Sequence, residues 1–531
     1  MSSNHKKMNI LGITQGKYIN VFIEQVKALS SQNMAIGNIG AYVSFAREFK
    51  TSHSVNNCSF DIFYEKEWEI FSRARNYDCN LKYLKKYEQK LPAGCLWDSI
   101  ICDRRLIYGP NAKFKQDYRC LYSHDFILAL LDCSLEACEK LLDKVKPDLV
   151  LGFVPVTFGE NLLLNMVKCN QIPCLQLRAT KIRNYACLYD RVPETSQHIV
   201  KLYNRDKIDK ITVDKAKDIL SELRNEGLIY EGVSVSRKSN FLRQVIQVPI
   251  NLCFNLLYEI KRQMNAIYRK DHHDFGFIKP AIFESIHKPI TKMLVRSFLK
   301  KNKRVLTLDE LKKSSVDWAF FPMQHEPEIA LQIYARPYHK DQIELMRNVA
   351  ASLPAETKLL VKEHPRSMGQ RPISYYKKLL QIPNLYFIDD ECPSVQILQY
   401  INFVTVINGA IGLEAALIGK PVILLGLAEY NILPDSMIRS CFNLYDLPNI
   451  INDLLNDYSY NEKEVLNYLC AIIDGSVEID IYSVLLNKQN RHNAATNETK
   501  NKTSHKQIEL LCHYLIKRHN QLKLNLEGKN A

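Results

Sequence analysis

At 531 residues, 46% of them hydrophobic and 24% charged, the chain is long and apolar enough to bury large cores, which excludes a disordered or fibrous protein. That length fits about three to four average units, or two α/β domains with additions. A formal net charge of +14 calls for an account of its partners, and fifteen cysteines without one C-x-x-C pair speak for reduced thiols and against zinc.

Met1 to Lys7 is polar and leads directly into Met8-Asn9-Ile10-Leu11-Gly12-Ile13, too short for a secretory apolar core and read as a first strand. Ile10 to Ile13, Tyr18 to Leu29 and Phe60 to Tyr64 then predict a strand, a helix and a strand. His124 and Asp125 fall at no predicted strand end. A cleaner unit follows, with a strand at Asp148 to Phe153, a helix from Gly159 through Lys168 and a strand at Ile172 to Arg178. Glu160 and Arg178 lie near its strand ends. Glu160 is a candidate general base, with the cap of a helix N-terminus as its equally good structural role.

The charge is concentrated between the halves. From Arg237 to Arg304 there are fifteen Lys and Arg against four Asp and Glu, a net of +11 out of +14. Phe241 to Val248 and Leu252 to Tyr258 are apolar stretches flanking Pro249, followed by Lys261-Arg262 and Arg269-Lys270. No run reaches the roughly 18 apolar residues of a membrane span. The segment reads either as a helical connector packed on both halves or as an attachment to an anionic membrane face. Nucleic acid is not expected as a partner, because no recognition module accompanies the charge.

The second half repeats the α/β grammar three times. Asp317 to Met323 predicts a strand that ends in Gln324-His325-Glu326-Pro327-Glu328, where Glu326 and Glu328 are rival candidates for a base, a helix cap or a sugar-hydroxyl ligand. Leu359-Leu360-Val361 is a strand core ending in Lys362-Glu363-His364-Pro365-Arg366. Cations there face the crevice at which open α/β sheets bind ligands, and Lys362, His364 and Arg366 are suited to a nucleotide phosphate. Phe403 to Ile407 is a β-branched strand opening into Asn408-Gly409-Ala410-Ile411-Gly412-Leu413-Glu414, then a helix to Ile418, a stop at Gly419 and a strand at Pro421 to Gly426. Backbone N–H groups near Gly409 to Gly412 at a helix start suit a phosphate; a tight turn alone accounts for the glycines equally well. No Asp-x-Asp pair marks a metal site at a strand end, and no cofactor is expected. Gln489 to Ser504 predicts a polar linker, and Gln507 to Leu524 a helix that packs back on the body or binds a partner.

Phe321 to Glu328, the Asp341-Gln342 helix start, Leu353-Pro354, Val361 to Pro365 and Asn408 through Ala415 together resemble the capsule polysaccharide biosynthesis family, which includes capsular Kdo transferases. The resemblance covers Trp318 to Leu433, with a weaker echo from Pro147 to Tyr189. It implies a GT-B glycosyltransferase: two Rossmann-like α/β domains facing a cleft, with His364-Pro365 on the donor nucleotide and the Gly409 to Glu414 turn on its phosphate or ribose. Many relatives have a serine or threonine where this chain has Gly409-Ala410, which leaves the backbone N–H groups to hold phosphate.

The expected organisation is therefore residues 1–204 as an acceptor-side domain, 205–312 as a basic helical connector, 313–488 as a nucleotide-sugar domain and 489–531 as linker and terminal helix. The expected activity is metal-independent transfer of a sugar from a nucleotide donor, with CMP-Kdo one option, to a surface polysaccharide or its lipid-linked precursor. The rivals are an epimerase or hydrolase of the same fold and a non-catalytic assembly protein. The candidate catalytic residues are Glu326, Glu328, Glu160 and His364. The candidate donor-binding residues are Gln324, His325, Lys362, His364, Pro365, Arg366, Asn408, Gly409, Ala410, Gly412 and Glu414. The expected location is the cytoplasm, with peripheral attachment to the inner membrane face as an option.

Overall fold

The computed structural model describes residues 7–15, 18–31, 35–45, 60–107, 122–192, 194–227, 249–250, 252–258, 260–261, 264, 282–326, 330–335, 341–481 and 500–527. Their strands form two seven-stranded sheets. The first half supplies β1 (Met8–Thr14), β2 (Ile36–Val43), β3 (Ile62–Lys66), β4 (Leu149–Phe153), β5 (Cys174–Ala179) and β6 (Tyr185–Tyr189). The second supplies β7 (Val305–Leu306), β8 (Asp317–Pro322), β9 (Thr357–Lys362), β10 (Leu385–Ile388), β11 (Phe403–Val406), β12 (Val422–Leu424), β13 (Ile438–Ser440) and β14 (Val477–Glu478).

The first sheet runs β14-β6-β5-β4-β1-β2-β3 and the second β13-β12-β11-β8-β9-β10-β7. All pairs of the second sheet are parallel, and in the first only β6 and β14 run antiparallel to their neighbours. Parallel strands buried on both faces need continuous apolar runs, and β11 and β12 are buried at every residue. The chain reverses its winding direction between β1 and β4 in the first sheet and between β8 and β11 in the second. Such switch points, at the carboxyl ends of the strands, open a crevice.

The predicted strands and helices of the second half stand where the apolar runs put them. In the first half β2 was not predicted, and packing explains why. A Cβ at Gly40 would lie 2.4 Å from Val145, so this strand uses glycine to let the helix His124–Val145 approach, at the expense of its strand-like pattern. Caps set several helix starts, among them Ser123 accepting from the Phe126 N–H at 3.3 Å and Asp341 accepting from Ile343 and Glu344.

The chain does not keep its halves apart. β7, which precedes residue 313, pairs with β10, and β14, after the second sheet is complete, returns to pair with β6. The helix Glu462–Gly475 packs on the helices Gln197–Tyr203 and Lys210–Glu226. One apolar cluster runs from Ile182, Tyr189 and Leu220 to Val404, Leu417 and Leu469. The last helix, Lys500–Glu527, lies on the helix Tyr18–Ser31. It takes in residues 500–504 of the expected linker, while 489–499 lie outside the described residues. Much of the described part of the basic connector is helical, including residues 252–258 and the helix Lys288–Lys300, while β7 forms its strand.

Candidate functional site

The loops after β8 and β9, neighbours in the second sheet, are tied together by one arginine. Arg371 is wholly buried. Its guanidinium is hydrogen-bonded to Glu363 Oε1, donates to the Gln324 carbonyl at 2.8 Å and lies 3.5 Å from Glu326 Oε2. Tyr376 donates to the other Glu363 oxygen at 2.8 Å. Gln342, at the start of the helix Gln342–Ser352, accepts from the Gln324 N–H at 2.6 Å and donates to Glu326 Oε1. A buried ion pair holds only when its remaining donors and acceptors are matched, as they are here. Glu326 is thus engaged on both oxygens. Pro327 and Glu328 lie outside the described residues.

His364 is next to this network. Its Nδ1 accepts the Arg366 backbone N–H at 3.2 Å, which places the ring proton on Nε2. Burial, reinforced by Arg366, Arg371 and Lys362, pushes the imidazole down to about 4. The ring is therefore neutral at pH 7 and acts as a hydrogen-bond donor through Nε2. The His325 ring is 5.6 Å away between centroids, with its Nδ1 2.7 Å from Ser367 Oγ. Pro365 and Arg366 are exposed at the tip of the loop. Lys362 turns aside: its ammonium donates to Ser394 Oγ at 3.1 Å, and burial lowers its pKa, opposed by the nearby Cys392, Asp390 and Glu414.

The glycine turn owes its composition to space. Gly409 is the N-cap of the helix Ala410–Leu417 in an extended conformation, φ −65° and ψ 161°, open to any residue. A Cβ there would lie 2.6 Å from Gln324 Nε2, so the Gln324 amide closes over Gly409 across the switch point. A Cβ at Gly412 would lie 2.3 Å from the Tyr430 hydroxyl and 2.6 Å from Val406. That hydroxyl donates to the Gly409 carbonyl at 2.8 Å. Asn408 and Glu414 are buried and Ala410 is half-buried. The cap makes no side-chain hydrogen bond, so the helix start presents main chain where a hydroxyl would otherwise sit.

Glu160 belongs to a different place. It is wholly buried at the start of the helix Phe158–Cys169, where its Oε2 accepts from the N–H groups of Val156 at 2.7 Å and Thr157 at 3.3 Å in a capping box. Desolvation, then the neighbouring Glu67, raises its pKa to about 8. Glu67 accepts from Tyr42, Thr157 and Arg105, and Arg105 also binds Asp103. Arg178, at the end of β5, reaches the second half instead: it pairs with the buried Glu429 at 2.6 Å and stacks 4.7 Å from the Tyr334 ring. Lys181 joins it at 3.4 Å.

Sequence reasoning missed Arg371, Gln342, Ser367, Tyr430 and Glu429. The strand-end rule reaches Glu429 and Tyr430, which follow β12; Arg371 carries no local signal, because its partners Gln324 and Glu326 come from the loop after β8. A cavity of about 580 Å³ lined by Asn38, Phe60 and Lys144 sits at the amino ends of β2 and β3, the opposite edge from these groups. Among the described residues no cluster of His, Cys, Asp and Glu is arranged to hold a metal ion, and thirteen cysteines are free.

The capsule polysaccharide biosynthesis protein family matches residues 256–434. The matched segment starts before Trp318 and contains Gln324, Glu326, His364, Arg371, Gly409, Gly412 and Glu429, but not Glu160 or Arg178. No curated protein matches the chain. Among solved structures, the β-Kdo 2,7 transferase KpsC of Thermosulfurimonas dismutans aligns at 14% identity over 64% of this chain and 79% of its own, with a TM-score of 0.33. The UDP-GlcNAc 2-epimerase of Neisseria meningitidis bound to UDP-GlcNAc aligns at 12% over 88% and 98%, TM-score 0.24. A glycosyltransferase of Rickettsia africae aligns at 11% over 88% and 94%, TM-score 0.25.

Proposed function

We propose that the chain is a glycosyltransferase of capsule or other surface-polysaccharide synthesis, which binds a nucleotide sugar at the switch point of the second sheet. The observation that carries this reading is the convergence of the Gln324, His364 and Gly409 loops on one set of adjacent strand ends, fixed by Arg371 and Tyr430. A departing nucleotide carries its developing charge on a phosphate oxygen, and fixed donors in a partly buried site stabilise that charge without reorganising. His364 Nε2–H is one such donor and the start of the helix Ala410–Leu417 supplies main-chain N–H groups. Lys362 and Arg366 contribute positive potential. The Gln324 amide closes the crevice over Gly409.

The base that takes the acceptor proton comes from elsewhere. Glu326 is ion-paired and bonded to Gln342, and Glu160 caps a helix on the other sheet, so the role falls to Glu328. The acceptor is a polysaccharide end or lipid-linked glycan approaching from the first half, where Arg178 meets Glu429. Calorimetry with CMP-, UDP-, GDP- and dTDP-sugars tests the reading: one nucleotide class binds the wild type and is weakened by His364→Ala. If none binds the wild type, the transferase reading fails. Turnover of the donor in the absence of any acceptor points to an epimerase or hydrolase instead.

A further inference from the structure

The described helical residues between 249 and 264 leave large apolar side chains bare. Ile250, Phe254, Leu257 and Met264 recur at the spacing of a helix face, and Phe254, Leu257 and Met264 are 69%, 64% and 67% exposed; Tyr258 and Ile260 flank them. The helix Lys288–Lys300 behaves in the same way. It buries Thr291, Val295 and Leu299 but leaves Ile290, Met293 and Leu294 about half exposed. Asn255 Nδ2 donates to Ser285 Oγ at 2.8 Å, which joins the two helical stretches, so both apolar faces belong to one neighbourhood. Half of the large apolar side chains exposed among the described residues lie between Ile250 and Leu294. A concentration of exposed apolar side chains of this kind marks an interaction surface.

We infer that this face docks on an anionic lipid bilayer. Charge selects the partner. Residues 237–304 carry fifteen Lys and Arg against four Asp and Glu, a net of +11. Arg296 is held by Asp390 and Glu391, and Arg304 by the carbonyls of Ile382 and Pro383, while Lys261, Lys300, Lys301 and Lys303 are exposed. A second copy of the chain would set one row of exposed lysines against another. Nucleic acid would satisfy the cations and leave the apolar faces in water. A bilayer with anionic headgroups satisfies both, with the apolar side chains at the acyl boundary and the lysines among the phosphates. Among the described residues no helix is long and apolar enough to cross a membrane, so the contact is interfacial. This surface does not depend on the proposed chemistry, because it shares no residue with the donor crevice.

The test is co-flotation of the full chain with phosphatidylcholine vesicles and with mixed phosphatidylcholine–phosphatidylglycerol vesicles, alongside Phe254→Asp/Leu257→Asp and Lys300→Glu/Lys301→Glu. The wild type is expected to float with the mixed vesicles and not with the neutral ones, with binding lost at high salt. The first variant should lower the partition coefficient at least about tenfold, and the second by about fivefold per charge removed. Unfolding midpoints should stay within a degree or two, since the altered side chains face water. Equal binding to both vesicle types, or no binding to either, overturns the proposal. A drop in the unfolding midpoint of Phe254→Asp/Leu257→Asp means that the chain itself covers this face. Sedimentation showing a dimer that the same variant dissociates assigns the face to a second copy.

Discussion

The carboxyl edges of the two sheets are built from the same materials and put to different uses. On each, one arginine draws carboxylates from separate loops into a buried cluster: Arg105 with Glu67 and Asp103 on the first, Arg371 with Glu363 and Glu326 on the second. On the first edge the cluster serves the fold, since Asp103 Oδ2 and Glu160 Oε2 accept from the N–H groups that open the helix Phe158–Cys169. On the second edge it carries something. The half-buried His364 and Gly409 and the exposed Arg366 stand beside it, and a loop proposed to hold a ligand needs such a rigid base. A buried ion network alone therefore does not mark an active site. The proposed site rests instead on the partly exposed groups beside it.

The sharpest way to break this contrast is Arg371→Ala. It leaves two buried carboxylates without their cation and is expected to cost about 3–5 kcal/mol, seen as a collapse of the denaturant midpoint, with nucleotide affinity lost at the same time. If affinity survives while stability falls, Arg371 supports the fold and not the site. Next is His364→Ala, which removes a donor to a charged oxygen and should weaken nucleotide binding by about 1.5–3 kcal/mol in calorimetry while the unfolding midpoint stays put. Because the folded imidazole titrates near 4, wild-type affinity should be flat at any pH well above that value. An affinity that falls as pH rises through the usual histidine range would assign the cationic ring instead.

Gly412→Ala comes third. Its new methyl meets the Tyr430 hydroxyl and Val406, so overpacking should cost about 1–3 kcal/mol and displace the Tyr430 bond to Gly409, read as a lower melting temperature and weaker nucleotide binding. The last expected effect concerns the first edge and leaves donor binding untouched. Burial and the neighbouring Glu67 hold Glu160 protonated up to about 8, well above the usual carboxylate range, so the folded state binds the extra proton and stability falls as pH rises through that window. Glu160→Gln keeps the acceptor oxygen for Val156 and Thr157 and should remove that slope in melting curves recorded across pH, with donor binding unchanged. A loss of turnover in this variant at constant stability would return Glu160 to the chemistry.

Much of the second half was legible because parallel strands buried on both faces must be continuous apolar runs, and the polar residues that end them are then conspicuous. That logic located the loops of Gln324, His364 and Gly409. It failed for β2, where Gly40 gives up side-chain pattern to admit a helix, and for β6 and β14, whose pairing joins residues far apart in the chain. It also misjudged the glycines. Their backbone angles are ordinary at Gly409, and the requirement at Gly412 is the approach of Tyr430, which no local reading contains.

By itself, then, the sequence determined the α/β class, the order of its strong strands and the basic apolar character of residues 237–304, because hydrophobic periodicity and charge are properties of neighbouring residues. Only the tertiary structure decided which carboxylates are spent on structure, that His364 is a neutral donor, and that β14 and the last helix return to the first sheet. Each of those depends on burial and on partners contributed by distant segments, and desolvation has no value until the chain has closed around the group.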